Sequence, residues 1–149
     1  MKPVDPDLLR QILEEHVLRS PGEPARVLVV DDEPQARELL EETLRSAGLL
    51  PVLASSGREA LEMLARGPIS TAIVDLLMPE MSGFELILRI RQNPKFARLP
   101  IIVLTGQEVD QDDLQILSRQ ANAVFLKTSV WKEAVLTKIY EVLQQVTKV

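Results

Sequence analysis

Four short apolar runs constrain this chain more than any other feature, because each stops at a polar residue. They are Val27-Leu28-Val29-Val30 before Asp31-Asp32, Ala72-Ile73-Val74 before Asp75, Ile101-Ile102-Val103-Leu104 before Thr105, and Ala123-Val124-Phe125-Leu126 before Lys127. Continuous apolar runs of this length predict strands buried on both faces, as in a parallel sheet. In an open parallel sheet the functional groups collect at the carboxyl ends of the strands. Three carboxylates, a hydroxyl and an ammonium are therefore expected at one edge of one sheet.

Between these runs the pattern switches to helical spacing. Helices are expected near 34–47, 57–66, 83–93, 109–121 and 131–146, with strands over 26–31, 51–55, 71–75, 100–105 and 123–127. Ala36, Leu39, Leu40, Thr43, Leu44 and Ala47 form the inner stripe of the first helix, and Gly48 is a natural stop. Trp131, Val135, Ile139, Val142 and Val146 form the stripe of the last. Five-fold alternation of strand and helix predicts a parallel α/β sheet with right-handed crossovers and helices on both faces. Residues 1–25 stand apart as an N-terminal helix and linker. Asp5-Pro6 opens the helix, Leu8, Leu9, Ile12, Leu13 and Val17 give it an apolar stripe, and Ser20-Pro21-Gly22-Glu23-Pro24 ends it. Residues 26–149 then form the single main domain.

Composition excludes several chemistries. With 46% hydrophobic residues but only 3% aromatic ones, the core must be built from Leu, Val, Ile and Ala. A net charge of -5 without a long basic stretch argues against direct nucleic-acid binding. The absence of cysteine excludes disulfides, thiolate metal sites and cysteine nucleophiles. The lone histidine, His16, leaves no His-based zinc site and no His-centred triad, and reads as a polar edge of the N-terminal stripe. No apolar stretch has the length to insert in a membrane and no signal-peptide pattern opens the chain. The expected setting is the cytoplasm.

Each polar strand end has a plain structural account when taken alone. Asp31, Asp32 and Glu33 suit the first turn of a helix, where acids interact well with the macrodipole. Asp75 could cap a turn, Thr105 could be a strand-end threonine, and Lys127 a solvated lysine. Their convergence is harder to dismiss. Crowded carboxylates repel one another and their pKa values rise. A hard divalent cation such as Mg²⁺, which prefers oxygen ligands, removes that conflict. A carboxylate flanked by a cation, an ammonium and a hydroxyl is arranged to accept a phosphoryl group.

On these residues the chain resembles the response-regulator receiver domains of two-component signalling, over about residues 26–146. The resemblance is carried by Val29-Val30-Asp31-Asp32-Glu33, by the stretch Val74-Asp75-Leu76-Leu77-Met78-Pro79-Glu80-Met81-Ser82-Gly83, by Leu104-Thr105-Gly106 and by Phe125-Leu126-Lys127. It implies a flavodoxin-like fold with strand order 2-1-3-4-5. It implies that Asp75 is the phospho-acceptor, and that Asp31, Asp32, Asp75 and the backbone carbonyl of Leu77 hold Mg²⁺ (or Mn²⁺). Thr105 and Lys127 would contact the phosphoryl group. The donor implied is a histidine kinase or phosphotransfer protein, and the output is control of a downstream protein.

Two positions depart from the family pattern. Thr128 follows Lys127 where members usually carry proline, so a trans bond is expected there, since a cis bond to a non-proline residue costs roughly 2.5–4 kcal/mol. Val124 stands three residues before the lysine, where many members have Tyr or Phe. Phe125, one residue on, should face the other side of the sheet. A phosphorylation-independent interaction module with the same fold is the alternative reading. A metal-dependent phosphohydrolase ranks below both, because Leu77 occupies the place of that class's second aspartate. Only three residues follow Val146, so no DNA-binding output domain is expected. The N-terminal helix reads either as a linker or dimerisation element or as a stripe packed on the domain.

Overall fold

The computed structural model describes residues 24–106, 108–127 and 131–147. The elements run β1 (Arg26–Val30), α1 (Pro34–Ser46), β2 (Leu50–Ala54), α2 (Gly57–Arg66), β3 (Thr71–Val74), α3 (Gly83–Gln92), a 3-10 turn (Pro94–Phe96), β4 (Ile101–Thr105), α4 (Gln111–Gln120), β5 (Ala123–Leu126) and α5 (Trp131–Thr147). The strands form one parallel sheet in the order β2-β1-β3-β4-β5. The expected flavodoxin-like order is therefore observed. The helix and linker expected over residues 1–25 lie outside the described residues, apart from Pro24 and Ala25. Ala25 is already buried, and its carbonyl accepts from Leu50 N–H at 2.9 Å.

Alternation along the strands splits the core in two. Val27, Val29, Ile73, Ile102 and Leu104 face α1 and α5, where they meet Leu40, Leu44, Val135, Ile139 and Val142. Leu28, Val30, Ala72, Val74, Ile101 and Val103 face α2, α3 and α4, where they meet Ala60, Leu64, Leu86, Ile87, Ile90 and Leu117. Each fully buried Val, Leu or Ile contributes roughly 1.5–3 kcal/mol. Trp131 packs against the first cluster while only partly buried. Ala36, Leu39 and Thr43 are also only partly buried, at the margin of the α1 stripe.

Burial on both faces holds for β1, β3 and β4 but not for β5. The β5 strand lies at the sheet edge; its first three residues are half-buried and Leu126 is exposed. Its apolar run reads like a central strand because Val124 and Phe125 each reach a different core cluster. This is the opposite-face placement expected of Phe125.

Helix starts follow local chemistry. Ser56, Ser82 and Asp110 each accept, through the side chain, the N–H three residues on. Gly48, at φ 80°, takes the left-handed position just after α1. Helix α1 itself begins with Pro34, and its N-cap residue, Glu33, makes no side-chain capping bond.

Candidate functional site

The site is made by residues that sit one step beyond the sheet ladder. Asp31 N–H donates to Ala54 carbonyl at 3.2 Å, Asp75 N–H to Val30 carbonyl at 3.0 Å, and Lys127 N–H to Thr105 carbonyl at 2.8 Å. Each main chain is thus held by the last bond of a parallel pair, while its side chain leaves the pleat. This is why the expected strands 26–31, 71–75 and 123–127 are each one residue shorter in the structure.

The side chains of Asp31, Asp32, Asp75 and Lys127 meet at that edge. One carboxylate oxygen from each of the three aspartates lies within 4.8 Å of the others. Asp31 and Asp75 are nearly inaccessible, at 1% and 5% exposure, and Asp32 is half-buried. Lys127 Nζ donates to Asp31 Oδ2 at 2.7 Å and lies 3.8 Å from Asp75 Oδ2. Asp31 Oδ1 accepts from Glu33 N–H at 3.0 Å, and Asp75 Oδ1 from Leu77 N–H at 3.4 Å. Thr105 is buried at the end of β4 and bonds Lys127 through the main chain. Leu77 keeps its side chain 48% exposed beside this pocket. Residues 128–130, including Thr128, lie outside the described residues.

Burial, and next the charge of Asp31, push the Asp75 carboxyl up to about 6; Lys127 and Leu77 N–H oppose the rise, and Asp32 adds to it. For Lys127, burial works against the charged form. The hydrogen bond and charge of Asp31, with the charges of Asp75 and Glu33, outweigh it and hold the ammonium above its ordinary value. The donor set is all carboxylate oxygen, which suits a hard divalent cation. Such a cation would relieve the repulsion that Lys127 only partly offsets.

Two residues that shape the pocket received no role from the sequence, although Gly83 closes the Val74 to Gly83 stretch that carries the resemblance. Gly83 opens α3 against the Asp75–Leu76 main chain. A Cβ there would fall 2.2 Å from the Asp75 carbonyl oxygen and 2.7 Å from Leu76 Cα. Gly83 N–H donates to Leu76 carbonyl at 3.0 Å across the same contact. Arg37 Nη1 donates to the Asp31 carbonyl at 2.7 Å. Its one sequence signal is a cation early in a helix, where the macrodipole disfavours it. The loop between β3 and α3 is tight: Glu80 has φ 67°, and Met81 N–H bonds Pro79 carbonyl at 2.8 Å around it.

A five-stranded parallel sheet in the order β2-β1-β3-β4-β5, with acidic and basic side chains at its β1/β3 switch point, defines the doubly wound, flavodoxin-like class of α/β folds. The family model described as response regulator receiver domain matches residues 27–140. The chain belongs to this family. It is similar to TrrA of Thermotoga maritima, solved in complex with Mg(2+)-BeF, with 35% identity, coverage of 79% of this chain and 98% of that one, and a TM-score of 0.71. It is also similar to chemotaxis protein CheY4 of Vibrio cholerae, with 30% identity, coverage of 80% and 99%, and a TM-score of 0.72. An uncharacterized 14.6 kDa protein of Leptolyngbya boryana is 43% identical over 86 residues, which is 58% of this chain and 66% of that protein. The match amounts to 20% and 60% of the length of two further curated relatives. Among the described residues, no helix is long and apolar enough to cross a membrane.

Proposed function

We propose that this domain accepts a phosphoryl group on Asp75 from a phosphohistidine of a histidine kinase or phosphotransfer protein, and then shifts its affinity for a partner protein. The observation that carries the reading is the packing of the near-inaccessible Asp75 carboxylate with Asp31, Asp32 and Lys127 in one pocket. Asp31, Asp32 and Asp75, with the Leu77 carbonyl, are the ligands proposed for Mg²⁺ (or Mn²⁺). When bound, that cation would supply charge neutralisation for an incoming phosphoryl dianion.

Asp75 acts as the nucleophile. One of its carboxylate oxygens forms the new bond to phosphorus as the phosphorus–nitrogen bond breaks, and the imidazole nitrogen keeps the electron pair and takes up a proton. Asp75 must be ionised to do this, and with a pKa of about 6 it is ionised in neutral solution. Lys127 lies close enough to Asp75 to pair with phosphoryl oxygens, and Thr105 supplies a hydroxyl from the neighbouring strand end. Positioning and charge compensation supply most of what phosphoryl transfer requires. The output is a population shift between two conformations. We place the activity in the cytoplasm.

Incubation with acetyl phosphate and Mg²⁺, read by intact mass, tests the reading. A gain of one phosphoryl group that is lost in Asp75→Asn supports it. One observation favours the alternative of a phosphorylation-independent interaction module. Val124 occupies the position of the family's aromatic residue, and Phe125 packs on the opposite face of the sheet. Absence of any gain in mass from either acetyl phosphate or phosphoramidate would leave that alternative standing.

A further inference from the structure

We propose that Arg37 is a positioning residue for the cation site, its guanidinium holding the turn at residues 31–33 in the shape that brings the Asp31 and Asp32 carboxylates together. This rests on reading the pocket as a divalent-cation site.

Asp31 is bonded at every polar group of its side and main chain. Its N–H is taken by Ala54 carbonyl, Oδ1 by Glu33 N–H and Oδ2 by Lys127. Its carbonyl is the first in the β1 direction beyond the sheet ladder, since Val30 carbonyl receives the last bond from Asp75. Arg37 Nη1 fills that gap at 2.7 Å from one turn inside α1. Helix α1 has no side-chain cap at Glu33. Arg37 is therefore a side-chain link between the helix start and the turn that carries both acids. A charged donor to a carbonyl forms one of the stronger hydrogen bonds available. Partners beyond the direct ligands typically fix ligand orientation and affinity.

The charge of Arg37 and its tether act in opposite directions. As a cation near an acidic pocket, the guanidinium repels a divalent ion, so removing the charge alone would tighten binding. As a tether it preorganises the two carboxylates, so removing the hydrogen bond loosens binding. The sign of the change separates the two roles.

The test is calorimetric titration of the full chain with Mg²⁺ alone. Arg37→Ala is expected to weaken binding roughly tenfold, and Arg37→Lys, which keeps a charged donor, to recover most of the loss. Arg45→Ala removes a cation from the same helix, where Arg45 pairs with Glu41 at 3.4 Å, and is expected to leave affinity unchanged. Equal or tighter binding by Arg37→Ala overturns the proposal. If Arg37→Ala does not fold, Arg37→Met keeps the aliphatic stem without the donor, and the same two outcomes apply to it. Absence of saturable Mg²⁺ binding in the wild type would instead defeat the reading of the pocket, and this proposal with it.

Discussion

Lys127 and Asp31, 96 residues apart in the chain, form a 2.7 Å ion pair at the carboxyl edge of the sheet. The pair ties the edge strand β5 to the central strand β1 across β3 and β4. Its ammonium thus engages a proposed metal ligand more closely than the proposed acceptor, Asp75.

Lys127→Ala leaves Asp31 buried beside two other carboxylates. Breaking one side of such a pair is expected to cost roughly 3–5 kcal/mol in the metal-free protein. Mg²⁺ affinity should rise in the same variant, because the cation no longer competes with an ammonium for Asp31. Denaturant unfolding with and without Mg²⁺ checks both signs at once.

Asp75 links stability to pH. Its carboxyl is raised from 3.8 to about 6 in the folded state, so the folded chain holds a proton that the unfolded chain has released between those values. Stability of the metal-free protein therefore falls as pH rises through that window. Asp75→Asn should remove this slope and be more stable at neutral pH by roughly 1–3 kcal/mol. Melting curves of both proteins from pH 4 to 8, in chelator, measure it.

Mg²⁺ should raise the melting temperature of the wild type by mass action, with a gain of about 2.7 kcal/mol at a hundredfold excess over the dissociation constant. The gain should shrink in Asp32→Ala. A melting temperature indifferent to millimolar Mg²⁺ counts against an intact acidic pocket.

Gly83→Ala forces a methyl group into the Asp75–Leu76 main chain. The nearest atoms are backbone, which cannot swing aside, so α3 must shift. A loss of roughly 1–3 kcal/mol is expected, together with weaker Mg²⁺ binding through displacement of Asp75. Calorimetric melting and a Mg²⁺ titration report the two effects.

Leu77 exposes an apolar side chain two residues from the proposed acceptor. We expect it to hinder attacking water and lengthen the life of the phosphorylated state. Leu77→Asn should release phosphate several-fold faster after donor removal; an unchanged rate removes the idea.

The central strands were legible because burial on both faces leaves a continuous apolar run. The residues ending those runs were legible as a convergent edge because parallel strands all point the same way. The apolar pattern by itself did not separate an edge strand from a central one; only the strand order implied by the resemblance put the fifth strand at an edge. The run Ala123-Val124-Phe125-Leu126 looks fully buried, yet among the described residues its outer side has no neighbouring strand, and Leu126 is exposed. Nor could it reveal contacts made by close approach. The requirement at Gly83 comes from the Asp75 main chain seven or eight residues earlier, and Arg37 acts on a carbonyl, which carries no residue-type signature.

The central claim is covalent, so the most direct measurement locates the bond. The full chain is incubated with phosphoramidate and Mg²⁺, reduced with borohydride, which converts an acyl phosphate to an alcohol, and mapped by peptide mass. Reduction at position 75 alone is the expected result, and it should disappear when Mg²⁺ is chelated. An unmodified Asp75, or modification confined to another residue, would contradict the claim.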